Sequence, residues 1–152
     1  MNFKEAYTFA TDLCAKQERC SSQIEEKLIK LQTDKEVINE VVAKLKAERF
    51  IDDLRYATYF TKDKYRFEKW GKIKITFQLK QKKLNSEIIA EALEVIDEEQ
   101  YTANLVQIIE TAKRKIKEPN EYKKKSKIAR LAASKGYEST LIFKHLNLES
   151  DE

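Results

Sequence analysis

The feature that most constrains the fold of this 152-residue chain is an apolar pattern that recurs twice at nearly constant spacing. Ile24 is followed by Ile75 and Ile128, at separations of 51 and 53 residues. A repeat of about 50 residues buries little apolar surface by itself, so neighbouring repeats are expected to pack together. The same two offsets relate four further sets of positions: Leu28, Leu79 and Ala132; Thr33, Leu84 and Tyr137; Val37, Ile88 and Leu141; Val42, Leu93 and Leu146.

Helix signals fill the whole sequence. The chain has only two glycines and one proline, so few residues interrupt regular structure, and its commonest side chains favour helices. Capping boxes at 22–25 and 33–36, with further caps at Asp52 or Asp53, Asn85 or Ser86, and Asn120, mark helix starts. Nine helices are predicted, at roughly 3–18, 22–31, 34–47, 53–67, 71–82, 86–95, 98–117, 121–134 and 138–146.

The repeat and the helix signals together predict the architecture. Each repeat contains one long helix followed by two short ones. We expect an all-α protein in which three tandem three-helix repeats stack into an elongated, curved body. The predicted boundaries are 1–51, 52–97 and 98–152, within one continuous domain.

The segment ERFIDD, residues 48–53, is interpreted as a joint between the first two repeats. An apolar residue just before a helix cap can pack on the helix that follows and fix its entry angle. Asp52 and Asp53 would then offset the positive end of the next helix, and Arg55 would lie within reach of an acidic neighbour one turn away. A structural role is therefore favoured over a catalytic one.

Several chemical classes find no support in the residues. His145 is the only histidine, and the two cysteines, Cys14 and Cys20, fit neither a zinc site nor a disulfide framework. Glycine-rich phosphate loops are missing, and the glutamates at 87–98 fit a solvated helix face. No apolar run is long enough for a bilayer, and the N-terminus is not that of a signal peptide. We expect a cytoplasmic, reduced protein that is not an enzyme and uses no metal or cofactor.

Charge is arranged in blocks that the net value of +4 conceals. Residues 62–83 carry nine basic and two acidic side chains, and residues 111–135 carry ten and two. Between them, residues 84–110 carry seven acids and no base. Such blocks are typical of a surface for a polyanion or an acidic protein, although a set of solvated helix faces gives the same pattern.

A helical wheel selects candidate binding residues. Between 69 and 83, four lysines and Thr76 share an arc of about 80°. Ile75 and Leu79 lie on one side of that arc and Ile73 and Phe77 on the other, which predicts a helix wedged between neighbours with its lysine stripe exposed. The candidates from both basic blocks are Arg66, Lys69, Lys72, Lys80, Lys83, Lys123, Lys127 and Arg130.

Aromatic residues accompany the first basic block. Tyr65, Phe67 and Trp70 flank Arg66 in the sequence. Rings among cations suit the stacking of bases from a single strand. Packing of Phe67 and Trp70 in the core is the favoured alternative.

The motifs resemble those of the RecX family of RecA regulators. The segments that carry the resemblance are FIDDLRYATYF at 50–60, GKIKITFQLKQKKL at 71–84 and LAASKGYESTLIFKHL at 131–146. The similarity covers nearly the whole chain. Two positions depart from the family pattern: Lys72 stands where proline is usual, and Lys83 where glycine is usual.

The resemblance implies a fold and a function. RecX-like proteins consist of three tandem three-helix units and lie in the groove of RecA filaments on single-stranded DNA. There they suppress ATP hydrolysis and strand exchange, and so limit recombinational repair and the SOS response. The implied protein is a monomer without membrane attachment; a stand-alone nucleic-acid-binding protein and a scaffold for an acidic protein are the alternatives.

Overall fold

A computed structural model describes residues 1–147 as nine α-helices without strands. The all-α prediction is confirmed, and the helix bounds agree with the expected ones to within about two residues. The last five residues of the third predicted repeat, 148–152, lie outside the described part. The helices are α1 (Phe3–Lys16), α2 (Ser21–Lys30), α3 (Lys35–Ala47), α4 (Asp53–Arg66), α5 (Lys72–Gln81), α6 (Ser86–Leu93), α7 (Glu98–Lys115), α8 (Glu121–Ser134) and α9 (Ser139–Leu146).

Both predicted capping boxes are wrong: the first is shifted to Cys20 and Gln23, and at the start of α3 no side chain caps the backbone. Helix α2 begins one residue earlier than expected, with Cys20 as N-cap, and the Cys20 amide donates to Gln23 Oε1 at 3.1 Å. The N-cap of helix α3 is Asp34 rather than Thr33. The other three starts are capped by one of the expected side chains, each accepting a backbone amide at 2.8 to 2.9 Å: Asp52, Asn85 and Asn120.

The repeat is visible in the backbone at the end of each middle helix. Gln32, Lys83 and Gly136 all adopt positive φ, of 56°, 60° and 99°. The amide of the next residue in each case donates to the carbonyl five residues earlier, in the pairs Thr33–Leu28, Leu84–Leu79 and Tyr137–Ala132. This is the Schellman arrangement, which satisfies carbonyls that a helix end leaves unpaired. The next residue is buried in all three repeats.

Burial follows the repeat, with one difference of phase. Ile24, Ile75 and Ile128 are all buried. In the third helix of each repeat, the aligned residues at 37, 88 and 141 are only half-buried. The residue after each of them is the buried one: Ile38, Ile89 and Ile142. For this set of positions, the predicted offsets therefore hold one residue later in the helix, whereas Val42 and Leu146 are buried as aligned.

The described residues form two compact units, and α4 and α5 contribute to both. The first unit comprises 1–59 and 79–92. In it, α1 and α2 pack against α3, and Ile51 from the predicted joint belongs to the same core. Arg55 donates to Glu18 Oε1 at 2.7 Å, so its acidic partner is 37 residues away rather than one turn away as expected.

The second unit contains 60–78 and, in the described part, 93–147. Helix α7 packs against α8 and α9. The backbone before α5 lies directly on the turn between α8 and α9: the Gly71 amide donates to Lys135 O at 2.7 Å, and the Ile73 amide to Gly136 O at 3.0 Å. A Cβ on Gly71 would lie 2.2 Å from the Gly136 carbonyl carbon, so glycine is required at this contact.

We expect Gly136→Ala to lower the free energy of unfolding by about 2–4 kcal/mol, because it combines a strained φ with overpacking against Lys74. The matched change at the equivalent position, Gln32→Gly, relieves a positive φ on an exposed residue. It should leave stability unchanged or raise it by up to about 1 kcal/mol. Urea unfolding followed by circular dichroism measures both. An alanine variant as stable as the parent chain would contradict this account of Gly136.

Candidate functional site

The exposed side of α5 differs from the one predicted by the wheel. Ile75 and Leu79 are buried, but Ile73 and Phe77 are 56% and 57% exposed. The helix is therefore packed on one side only, and the expectation that it is wedged between neighbours is wrong. Lys80 lies on the same exposed side as the two apolar residues. The helical wheel does not distinguish the two apolar pairs, but in the structure only Ile75 and Leu79 are buried.

Two lysines of the predicted stripe already have partners within the second unit. Lys72 Nζ lies 2.5 Å from Glu98 Oε1 and 4.9 Å from the centre of the Tyr101 ring. Lys69 Nζ donates to Gln107 Oε1. Both side chains are half-buried, so their ammonium groups hold helices together as well as carrying charge.

The segment between α4 and α5 presents aromatic rings in two different ways. Phe67 is 78% exposed, so the expectation of core packing is wrong for this residue. Trp70 is half-buried, with the Phe60 ring edge-on at 6.2 Å and two ammonium groups, of Lys64 and Lys74, at 5.0 and 4.4 Å from its centre. Arg66 is exposed, with its guanidinium 5.8 Å from the Tyr65 ring.

The remaining two candidates of the first basic block belong to the first compact unit. Lys80 and Lys83 are exposed, and neither makes an ion pair or a side-chain hydrogen bond within residues 1–147. Lys83 tolerates the positive φ at which the RecX-like pattern has glycine. These two side chains offer uncompensated positive charge to solvent.

The second basic block is exposed on α8. Lys123, Lys127 and Arg130 all lie on its solvent side, as the wheel predicts. Lys127 donates to Glu118 at 3.1 Å, and this hydrogen bond holds the pKa of the Glu118 carboxyl below its usual range. In the described part of the chain, Lys123 and Arg130 have no acidic partner.

A basic groove in the second unit was missed by the sequence analysis. It has a volume of about 320 Å³, and Lys113, Lys124 and Lys125 line it together with Glu121. Its other lining residues are Ile128, Leu146 and Asn147. The signal was available: Lys124 and Lys125 are four and three residues before the buried Ile128, where an amphipathic helix normally places apolar residues.

Residues 1–147 have neither a membrane-spanning helix nor a cluster of metal ligands. None of the helices there has the length and hydropathy to cross a bilayer. That part of the chain also contains no group of three histidine, cysteine or acidic side chains placed to share a metal ion.

Three family models match the chain in tandem. They describe the first, second and third three-helix domains of RecX and match residues 6–45, 52–93 and 98–146. This chain belongs to the RecX family.

Curated relatives are similar over most of the chain. The regulatory protein RecX of Clostridium botulinum (strain Alaska E43 / Type E3) is 32% identical over 121 residues, which cover 78% of this chain and 56% of that protein. The regulatory protein RecX of Bacillus cereus (strain B4264) is 28% identical over 139 residues, covering 91% and 52%. The chain thus spans about half the length of these relatives.

Solved structures show the same fold. A crystal structure of regulatory protein RecX superposes with a TM-score of 0.89 at 23% identity, covering 97% of this chain and 73% of that one. The crystal structure of RecX from Lactobacillus salivarius gives 0.87 at 21% identity, covering 95% and 94%.

One departure from the RecX pattern has a structural consequence. The amide of Lys72, which proline would lack, donates to the Tyr101 hydroxyl at 2.8 Å. That hydroxyl in turn donates to Glu138 Oε1 at 2.5 Å, and Tyr137 packs on the Tyr101 ring with centres 5.0 Å apart. Burial and the hydrogen bond to Glu138 raise the pKa of Tyr101 far above its usual range. This RecX chain therefore uses the amide to tie α5 to α7 and α9.

Tyr101→Phe should lower the free energy of unfolding by about 1–3 kcal/mol, since it leaves the Lys72 amide and the Glu138 carboxylate without their shared partner. The control is Tyr122→Phe, because Tyr122 is 75% exposed. Chemical denaturation of both variants measures the difference. If the two variants are equally stable, the network does not stabilise the second unit.

Proposed function

We propose that this protein binds RecA filaments on single-stranded DNA and suppresses their ATP hydrolysis and strand exchange. The observation that carries the proposal is the tandem match of all three RecX three-helix domains across residues 6–146. The relatives are named regulatory proteins, which fits a role without catalysis. The protein would act in the cytoplasm as a monomer, through occupancy of the filament, in recombinational repair and the SOS response.

The exposed cations support a charged polymer as the target. Lys80, Lys83, Lys123 and Arg130 are all exposed and have no acidic partner within the described residues. Cations that neutralise phosphates release counterions, so binding would weaken as salt rises. We propose these four as the principal contacts, with Arg66 and Lys127 beside them. Lys69 and Lys72 would contribute less because their ammonium groups already have partners.

The exposed phenyl ring of Phe67 supports the presence of a single strand in the target. Because the Phe67 ring is largely exposed to solvent and lies next to Arg66 in the sequence, it can stack on an unpaired base. Filament-bound DNA and naked DNA both offer such bases. Equal affinity for the two would favour the stand-alone nucleic-acid-binding alternative.

The protein should lower the ATPase activity of its host's RecA on single-stranded DNA at sub-stoichiometric ratios, because one bound molecule blocks a continuous filament. Coupled-enzyme ATPase assays with matched salt and buffer measure this effect. Unchanged hydrolysis at saturating protein would refute the proposed function.

A triple charge reversal, Lys80→Glu, Lys123→Glu and Arg130→Glu, should weaken filament binding by at least about tenfold, since it places repulsive charge at three proposed contacts. Far-UV circular dichroism should be unchanged because the three side chains are exposed. The matched control reverses three exposed lysines of the first unit: Lys16, Lys30 and Lys35. If both triple variants lose the same amount of filament affinity, only net charge matters, and Lys80, Lys123 and Arg130 are not specific contacts.

A further inference from the structure

In the first repeat, the first residue of the middle helix α2 forms hydrogen bonds with the acidic first residue of α4, which begins the following repeat. Ser21 is the first residue of α2, and its amide donates to Asp53 Oδ1 at 2.8 Å. Its hydroxyl also lies within 3.0 Å of both oxygens of that carboxylate. Asp53 is the first residue of α4. The first turn of one helix is thus fixed to the middle helix before it through an acid.

The second repeat has a comparable contact at the equivalent position, made by different chemical groups. Lys72 lies 51 residues after Ser21 and is the first residue of α5. Its ammonium group pairs with Glu98, the first residue of α7. Its amide contacts Tyr101, which is also in the first turn of α7. In both repeats, therefore, the first residue of the middle helix contacts an acidic residue in the first turn of the long helix that begins the next repeat.

In the third repeat, the equivalent residue is a lysine that has no acidic partner within residues 1–147. Lys125 follows Lys72 by 53 residues and lines the basic groove with its neighbour Lys124. Both are half-buried, and neither makes an ion pair or a side-chain hydrogen bond within residues 1–147. Helix α8 begins four residues earlier, at Glu121, so the backbone amide of Lys125 lies inside the helix and only its side chain is available.

The electrostatics of this groove favour an acidic ligand. On a wheel, Lys124 and Lys125 lie about 40° and about 60° to either side of the buried Ile128, so both face the packed side of α8. Like charges that are partly withdrawn from water repel each other more strongly than exposed ones. Lys113, at the end of α7, adds a third positive charge, although its ammonium group pairs with Glu110 at 3.3 Å. Among the lining residues that the structure describes, Glu121 is the only acid.

We infer that the groove formed by Lys113, Lys124 and Lys125 is a docking site for the acidic first turn of an α-helix from another polypeptide. The two occupied counterparts within the chain define the ligand chemistry: a helix whose first residues are aspartate or glutamate. Such a helix directs carboxylates at Lys125 as Glu98 does at Lys72. This surface differs from the exposed face of α8 proposed for the filament, and the inference does not depend on that proposal.

A peptide titration tests the inference. The probe is a fluorescein-labelled peptide of residues 96–115, IDEEQYTANLVQIIETAKRK, which comprises α7 and the two residues before it. A second peptide carries Asp97→Asn, Glu98→Gln and Glu99→Gln. At low salt, the full chain should bind the acidic peptide at least about tenfold more tightly than the neutral one, by fluorescence anisotropy. Raising the salt should remove most of that preference.

Two variants with the same change of charge locate the site. Lys124→Gln with Lys125→Gln should reduce the preference for the acidic peptide to less than about twofold. Lys123→Gln with Lys127→Gln, on the exposed face of the same helix, should retain it. Absence of a preference in the parent chain, or equal losses in both double variants, would overturn the inference.

Nucleic acid is the competing occupant, and a labelled oligo(dT) strand distinguishes it. If the groove variant loses oligo(dT) binding but keeps its preference for the acidic peptide, the groove binds phosphates and the inference is wrong. If the groove variant binds oligo(dT) as tightly as the parent chain does while the peptide preference is lost only in the groove variant, the inference holds. No recombinase or nucleotide is present in these titrations, so the proposed function can fail without affecting them.

Discussion

The second compact unit depends on a contact between two glycine backbones. Gly71 and Gly136 are the only glycines of the chain, and they lie against each other where α5 begins and α8 ends. No other residue type permits this approach, because a Cβ on either would meet backbone atoms closer than about 3 Å. The approach brings the Lys72 amide to Tyr101 and the Tyr137 hydroxyl to the carbonyl of Lys69 at 2.8 Å. Polar groups that would otherwise be buried unsatisfied are thereby paired.

Most of the secondary structure could be predicted because its causes are local. Apolar spacing determines which face of a helix is buried, and capping residues determine where the helix begins. Asp52, Asn85 and Asn120 were among the expected caps for these reasons. The repeat could be predicted as well, because the buried residues Ile24, Ile75 and Ile128 recur at nearly constant spacing. Its three Schellman turns could not, because Gln32, Lys83 and Gly136 share no side-chain signal.

The functional surfaces were less predictable because they depend on long-range packing. The sequence shows that α5 carries two apolar pairs but not which pair finds a neighbour, so the exposed Ile73 and Phe77 were misplaced. Arg55 was assigned a nearby acid, whereas its partner, Glu18, is brought close by tertiary structure. The basic groove could not be predicted from charge alone, for a related reason. Counting Lys124 and Lys125 as basic residues does not show that they lie on the packed side of α8.

The position of Trp70 has a spectroscopic consequence. It is the only tryptophan of the chain, so indole emission reports a single location. Its ring lies among Phe60 and the ammonium groups of Lys64 and Lys74, and its amide donates to Lys64 O at 3.0 Å. Any rearrangement of the link between α4 and α5 would move those charges relative to the ring. The wavelength and intensity of the intrinsic fluorescence would then follow that rearrangement without an attached dye.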